Sequence, residues 1–169
     1  MRFASIAPSE LQLAPVQLFG KDWMLLTAGS AENHNTMTVS WGGLGVLWGM
    51  PVATVYVRPE RHTYSFMNEN GLFSLCAFDE SRREALVLAG TKSGRDADKD
   101  ALCGLTPVRS AQGGIYYAEA RLALVCKKIY TQDFDRGRFL DERVDKIYEN
   151  AQLHRIFIGE IVEALIKED

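Results

Sequence analysis

Three stretches of this chain carry residue types that could do chemistry. The run Val57-Arg58-Pro59-Glu60-Arg61-His62-Thr63 gathers two arginines, a histidine and a hydroxyl. Proline suits a first helical turn, so a helix is expected from about Pro59 to the stop signal Asn70-Gly71. Arg58, Arg61 and His62 would then crowd a helix N-terminus, where the macrodipole already presents about half a positive charge. Such cations are either exposed and screened by solvent, or they mark an anion held by free backbone N–H groups, Arg58 or Arg61, and the Thr63 hydroxyl. A phosphate fits the second case.

The run Asn35-Thr36-Met37-Thr38-Val39-Ser40-Trp41 alternates strictly. It puts Thr36, Thr38 and Ser40 on one face of a strand and Met37, Val39 and Trp41 on the other. An all-hydroxyl face is either half-exposed to water or lines a ligand. The absence of charge on it, and the glycines Gly42, Gly43 and Gly45 that follow at once, point toward close approach by another backbone or a flat ligand. The third stretch, Thr91 to Asp100, carries six charges in ten residues and reads as a solvated loop unless something anionic binds there. Other motifs fail. Gly42-Gly43-Leu44-Gly45 lacks the third glycine and following helix of a dinucleotide fingerprint, and Lys92-Ser93 lacks the upstream glycines of a P-loop. His34, His62 and His154 have no metal-ligand spacing, so no metal is expected, and no local pattern singles out a nucleophile.

The elements that must position these residues are mostly strands. A chain of 169 residues makes about one domain, taken as residues 1–169, and 47% apolar content supports one real core. Strands are expected at Trp23–Ala28, Asn35–Trp41, Ala53–Arg58, Leu72–Phe78, Tyr116–Ala120, Leu122–Thr131 and His154–Ala164. A second helix is expected at Ser81–Ala89, with Ser81 and Glu84 as a capping box and Gly90 as its end. Many short strands without regular intervening helices argue against a parallel sheet and favour a closed or nearly closed antiparallel barrel, a form that can hold a ligand at its mouth. A net charge of −3 argues against a nucleic-acid footprint. Residues 33–57 lack Asp, Glu, Lys and Arg, but their hydroxyls, Pro51 and four glycines suit buried strands and turns rather than a membrane helix. Cys76, Cys103 and Cys126, odd in number and far apart, read as buried free thiols; with no signal peptide evident, the cytoplasm is expected.

Taken in order, Trp23–Ala28, Asn35–Gly42, Val57–Thr63 with Phe73-Ser74-Leu75, Ser93-Gly94-Arg95-Asp96 with Asp98-Lys99, and His154–Ile161 resemble the flavin reductase-like, FMN-binding split-barrel family, in particular its flavoredoxin-like members. The resemblance runs collinearly over nearly the whole chain. It implies a mainly β (α+β) fold, an antiparallel Greek-key split barrel with two or three short helices, forming a homodimer with one flavin per subunit. By position, Asn35, Thr38, Val39, Ser40 and Trp41 would lie along the flavin, much of the binding coming from backbone groups. Arg58 and Thr63 would take the phosphate, joined by Arg61 on the helix-start reading, with Lys99 reaching the phosphate or the ring from the charged loop and Ser93 beside it. His154 is a further candidate beside the ligands. Relatives often carry an aromatic after the lysine, where this chain has Asp100.

The function implied is that of an FMN-binding oxidoreductase, with FAD as the other flavin, passing a hydride from NADH or NADPH to flavin. The alternatives are a flavoredoxin-like electron carrier serving a redox partner protein without its own nicotinamide turnover, and a barrel that binds a ligand without redox chemistry. Because the flavin carries the chemistry, no side-chain acid or base is required.

Overall fold

The computed structural model describes residues 2–168. Ten strands form: β1 (Phe3–Ile6), β2 (Met24–Gly29), β3 (His34–Val39), β4 (Gly42–Leu47), β5 (Met50–Val57), β6 (Leu72–Ala77), β7 (Pro107–Arg109), β8 (Ile115–Tyr117), β9 (Leu122–Asp133) and β10 (Arg155–Lys167). One antiparallel sheet runs in the order β3-β2-β6-β9-β10-β5-β4, with β1 on the far half of β10. Its two end strands, β3 and β4, are consecutive in the chain and joined only by Ser40 and Trp41. The sheet therefore curls until its ends meet at that corner, which is the split of the barrel. β7 and β8 form a separate two-stranded ribbon.

β2 shows why the apolar runs are continuous rather than alternating. Met24, Leu26 and Ala28 enter the barrel core with Val39, Val55, Phe73, Leu124 and Phe157. Leu25 faces the other way, into a second core with Cys76, Leu86, Ala89, Cys103 and Tyr117. That second core lies beneath α3 (Arg83–Thr91) and α4 (Lys99–Cys103), so the central strands are buried on both faces. The remaining helices are α1 (Pro15–Gln17), α2 (Thr63–Glu69) and α5 (Glu142–Ile147). The three cysteines are free and buried as expected, and burial pushes the Cys76 thiol up to about 12. Among the described residues no helix is long and apolar enough to cross a membrane.

Several expectations are corrected. The helix expected from Pro59 begins at Thr63. Pro59 instead occupies a turn in which the Arg61 N–H donates to the Arg58 carbonyl at 3.1 Å. Proline's fixed φ suits the second position of such a turn as well as it suits a helix start. The capping box at Ser81 and Glu84 does not form, because Ser81 lies inside a 3-10 turn, Glu80–Arg82, that feeds α3 without a side-chain cap. Gly90 lies within α3 rather than ending it. The charged segment is not simply a solvated loop. Its end starts α4, where the Asp98 side chain accepts from the Asp100 and Ala101 N–H groups and Gly104 closes the helix in the left-handed region.

The glycine run forms β4 itself. A side chain at Gly42 would meet the Phe19 ring at 2.3 Å, so the backbone approach allowed there is taken by this chain's own aromatic.

Candidate functional site

Strand register builds the site. β10 pairs with β5 as Arg155 opposite Val57, so one step beyond the ladder His154 and Arg58 stand side by side. β4 pairs with β5 as Gly42 opposite Val55, so the next step sets Trp41 opposite Tyr56. The three strand ends converge at the split. They enclose a cleft of about 190 Å³ lined by Met37, Thr38, Val39, Ser40, Trp41, Tyr56, Arg58, Arg61 and His154. Seven of the expected site residues therefore meet here: Thr38, Val39, Ser40, Trp41, Arg58, Arg61 and His154.

Both guanidinium groups face polar surroundings. Arg58 pairs loosely with Glu60 at 3.5 Å, and Arg61 donates to the Gly90 carbonyl at 3.0 Å. Each keeps further N–H groups for an anion. The His154 ring packs on Trp41 with centroids 4.9 Å apart. Burial first, and then Arg58, pushes the His154 imidazole down to about 4, so it is neutral at physiological pH. The strand's hydroxyls are not equivalent. The Thr38 hydroxyl donates to the Leu86 carbonyl of α3. Thr36 is buried and takes a 3.0 Å hydrogen bond from the Thr27 hydroxyl. Of the three only Ser40 is exposed, so the hydroxyl face is covered over most of its length, at Thr38 by α3 and at Thr36 by the neighbouring β2.

The other four expected residues do not line the cleft. Asn35 donates from Nδ2 to the Thr63 hydroxyl at 2.6 Å, and both residues are buried. That bond ties the start of α2 to β3. Lys99 is buried and donates to the Thr36 and Ala89 carbonyls, each at 2.7 Å. Burial first, then Arg61, lowers it to about 8. Ser93 accepts from the Arg95 N–H at 3.2 Å, holding the turn that carries Gly94. A side chain on Gly94 would overlap Asn35 Oδ1, at 1.8 Å. Asn35, Gly94 and Lys99 border a second hollow of about 310 Å³, next to His34, Asp98 and Asp100.

Tyr56 was not singled out from the sequence, although its spacing of two from Arg58 on one strand places both side chains on one face. Tyr148, whose hydroxyl lies 2.8 Å from His154 Nδ1, carries no sequence signal, because the contact depends on how the β9–β10 connection folds back. Among the described residues no group of three or more His, Cys, Asp or Glu is placed to hold a metal.

Comparison with known proteins sets this geometry in context. Flavoredoxin from Methanosarcina acetivorans superposes with a TM-score of 0.70 at 23% identity, covering 87% of this chain and 69% of that one. An FMN-binding domain of a flavin reductases-like enzyme from Shewanella baltica gives a TM-score of 0.70 at 20% identity, over 98% of this chain and 77% of that one. An NADH:FAD oxidoreductase from Streptomyces globisporus, in complex with NAD and FAD fragments, gives 0.62 at 17% identity, over 86% and 74%. At these identities the likeness shows the fold. No curated protein matches the sequence. Residues 16–169, however, match the flavin reductase like domain, so this chain, with its cleft at the split of the barrel, belongs to the flavin reductase-like family.

Proposed function

We propose that this protein is an FMN-binding oxidoreductase whose flavin accepts a hydride from NADH or NADPH. The observation that carries the reading is the convergence of Arg58 and Arg61 with the Ser40–Trp41 corner on one cleft at the split of a family barrel. The residues suit the cofactor. Two guanidinium groups meet a phosphate, and β3 is paired only on its β2 side, leaving backbone groups near Ser40 and Trp41 for ring oxygens and nitrogens. The flavin supplies hydride chemistry when bound, and the protein supplies orientation and a positive field. Thr38 and Val39 shape the wall along the ring, while Asn35, Thr63 and Lys99 hold β3 to the neighbouring helices, and Ser93 its turn, at the phosphate end. The Streptomyces relative, solved with NAD and FAD fragments, supports both the nicotinamide donor and FAD as a second flavin.

The experiment is direct. Purified protein should bind FMN, and added NADH or NADPH should be oxidised at a rate that depends on flavin. Bound flavin without nicotinamide oxidation favours the second reading, an electron carrier serving a redox partner, for which the likeness to flavoredoxin speaks. No bound flavin overturns both.

The working unit we propose is a homodimer in a reducing cytoplasm. Supporting it are the exposed Val46 and Trp48 on the β4–β5 hairpin, 77% and 63% exposed, and three unpaired thiols. Light scattering at micromolar concentration should report two chains, and a monomer that still holds flavin refutes the dimer.

A further inference from the structure

We propose that Tyr148 is a positioning residue: its hydroxyl donates to His154 Nδ1, keeps the imidazole proton on Nε2, and so presents a fixed N–H donor to a carbonyl oxygen of the ligand in the cleft. The inference rests on the reading that this cleft binds a flavin. It also assigns work to the β9–β10 connection, which the proposed function leaves unused.

Both partners are held from several sides. Tyr148 ends α5 and is buried, stacked on Phe139 with centroids 5.4 Å apart and edge-on to Phe134. His154 is buried between Tyr148 and Trp41, and its carbonyl accepts from the Phe134 N–H at 2.9 Å. The Tyr148 oxygen and His154 Nδ1 are 2.8 Å apart. Chemistry sets the direction of that bond. A phenol is a better donor than a neutral imidazole N–H, and an imidazole lone pair is a better acceptor than a phenol oxygen. The charged groups facing the ring are Arg58, Arg61 and Glu60; burial and the two arginines outweigh Glu60 and keep the ring neutral down to about pH 4. A neutral imidazole that accepts at Nδ1 carries its proton on Nε2.

Nε2 has a place to donate. Among the described residues the Ser110 hydroxyl is the one fully sealed side-chain polar atom without a partner. Among the described residues His154 Nε2 has no hydrogen-bond partner and is not among the sealed atoms, and His154 lines the cleft, so the cleft is the place for its donor. A carbonyl oxygen there has two sources, the flavin ring and the carboxamide of a nicotinamide.

Histidine ¹⁵N labelling with NMR tests the inference. In the wild-type protein the His154 signals should report the Nε2–H tautomer between about pH 5 and 8, and Tyr148→Phe should give a mixture with Nδ1–H. A wild-type Nδ1–H tautomer, or an unchanged tautomer in Tyr148→Phe, overturns the proposal. The wild-type measurement needs no variant, so it stands even where Tyr148→Phe fails to fold. FMN and then NAD⁺, which carries the carboxamide without reducing the flavin, are added to the wild type. Movement of the Nε2–H signal with FMN assigns the acceptor to the ring, and movement only with NAD⁺ assigns it to the carboxamide. Affinity for that ligand should fall about fivefold in Tyr148→Phe, the scale of one neutral hydrogen bond. Tight FMN binding with no movement in either arm overturns this inference alone. Absence of FMN binding overturns the flavin reading and the ligand half of the inference with it.

Discussion

Lys99 donates its ammonium to the Thr36 carbonyl of β3 and to the Ala89 carbonyl of α3, at 2.7 Å in both cases. A cation from a highly charged segment of the chain thereby joins a strand to the helix that covers it. Its contribution to the site is to hold the wall.

Lys99→Met should lower the stability of the flavin-free protein by about 1–3 kcal/mol, because two carbonyls lose a buried donor. Thermal and urea melts of the apo protein measure this. The pH dependence has a definite sign. The folded lysine, at about 8, sheds its proton before an unfolded one at 10.5 does. Stability from this group is therefore lost as pH falls through about 8 and is regained toward 10.5. The stability gap between wild type and Lys99→Met should widen from pH 8 upward, and a lysine that serves only to touch phosphate would leave the apo melt unchanged.

Arg58→Ala should weaken FMN binding about tenfold or more, the scale of a charge-assisted hydrogen bond of about 1.5–3 kcal/mol. Riboflavin, which lacks the phosphate, should lose nothing. Fluorescence titration of both flavins decides it, since an equal loss for the two places Arg58 at the ring.

Thr38 and Ser40 should separate cleanly. Thr38→Val removes the donor to the Leu86 carbonyl and should cost the apo fold about 1–3 kcal/mol. Ser40→Ala, at an exposed corner of the cleft, should leave the apo melt within about 0.5 kcal/mol. Any loss of FMN affinity in Ser40→Ala then reads the ligand alone. Equal melts for the two variants contradict the helix-covered strand.

His34 lies 2.8 Å from Asp100, whose other oxygen accepts from the Tyr117 hydroxyl at 2.9 Å. The hydrogen bond to Asp100 raises the His34 pKa above 6.5. A raised histidine stabilises the fold fully below the unfolded value and stops doing so as pH rises through the folded one. Wild-type stability should fall on crossing that window, and His34→Gln should flatten the curve there. A His34→Gln curve parallel to wild type would show that the pair contributes no proton linkage.

The parts of the fold set by local pattern were legible in the sequence. Continuous apolar and β-branched runs, with strict alternation at β3, marked β2, β3, β5, β6, β9 and β10 to within a few residues, since those strands answer to core burial. The Arg58, Arg61 and Thr63 cluster stood out by charge and spacing alone. Local pattern did not decide where helices begin, because Pro59 is equally at home in a turn, and α2 starts instead at Thr63, whose hydroxyl Asn35 of β3 holds. Nor could it show that the hydroxyl face would be roofed by α3, or that Lys99 would be consumed by carbonyls. Those outcomes depend on residues far apart in sequence meeting across the sheet. The cleft follows the same logic: each lining residue belongs to a readable strand end, but only the β4–β5 and β5–β10 registers set Trp41 beside Tyr56 and Arg58 beside His154. A register is a pairing of distant segments chosen by the whole core, so no single segment contains it.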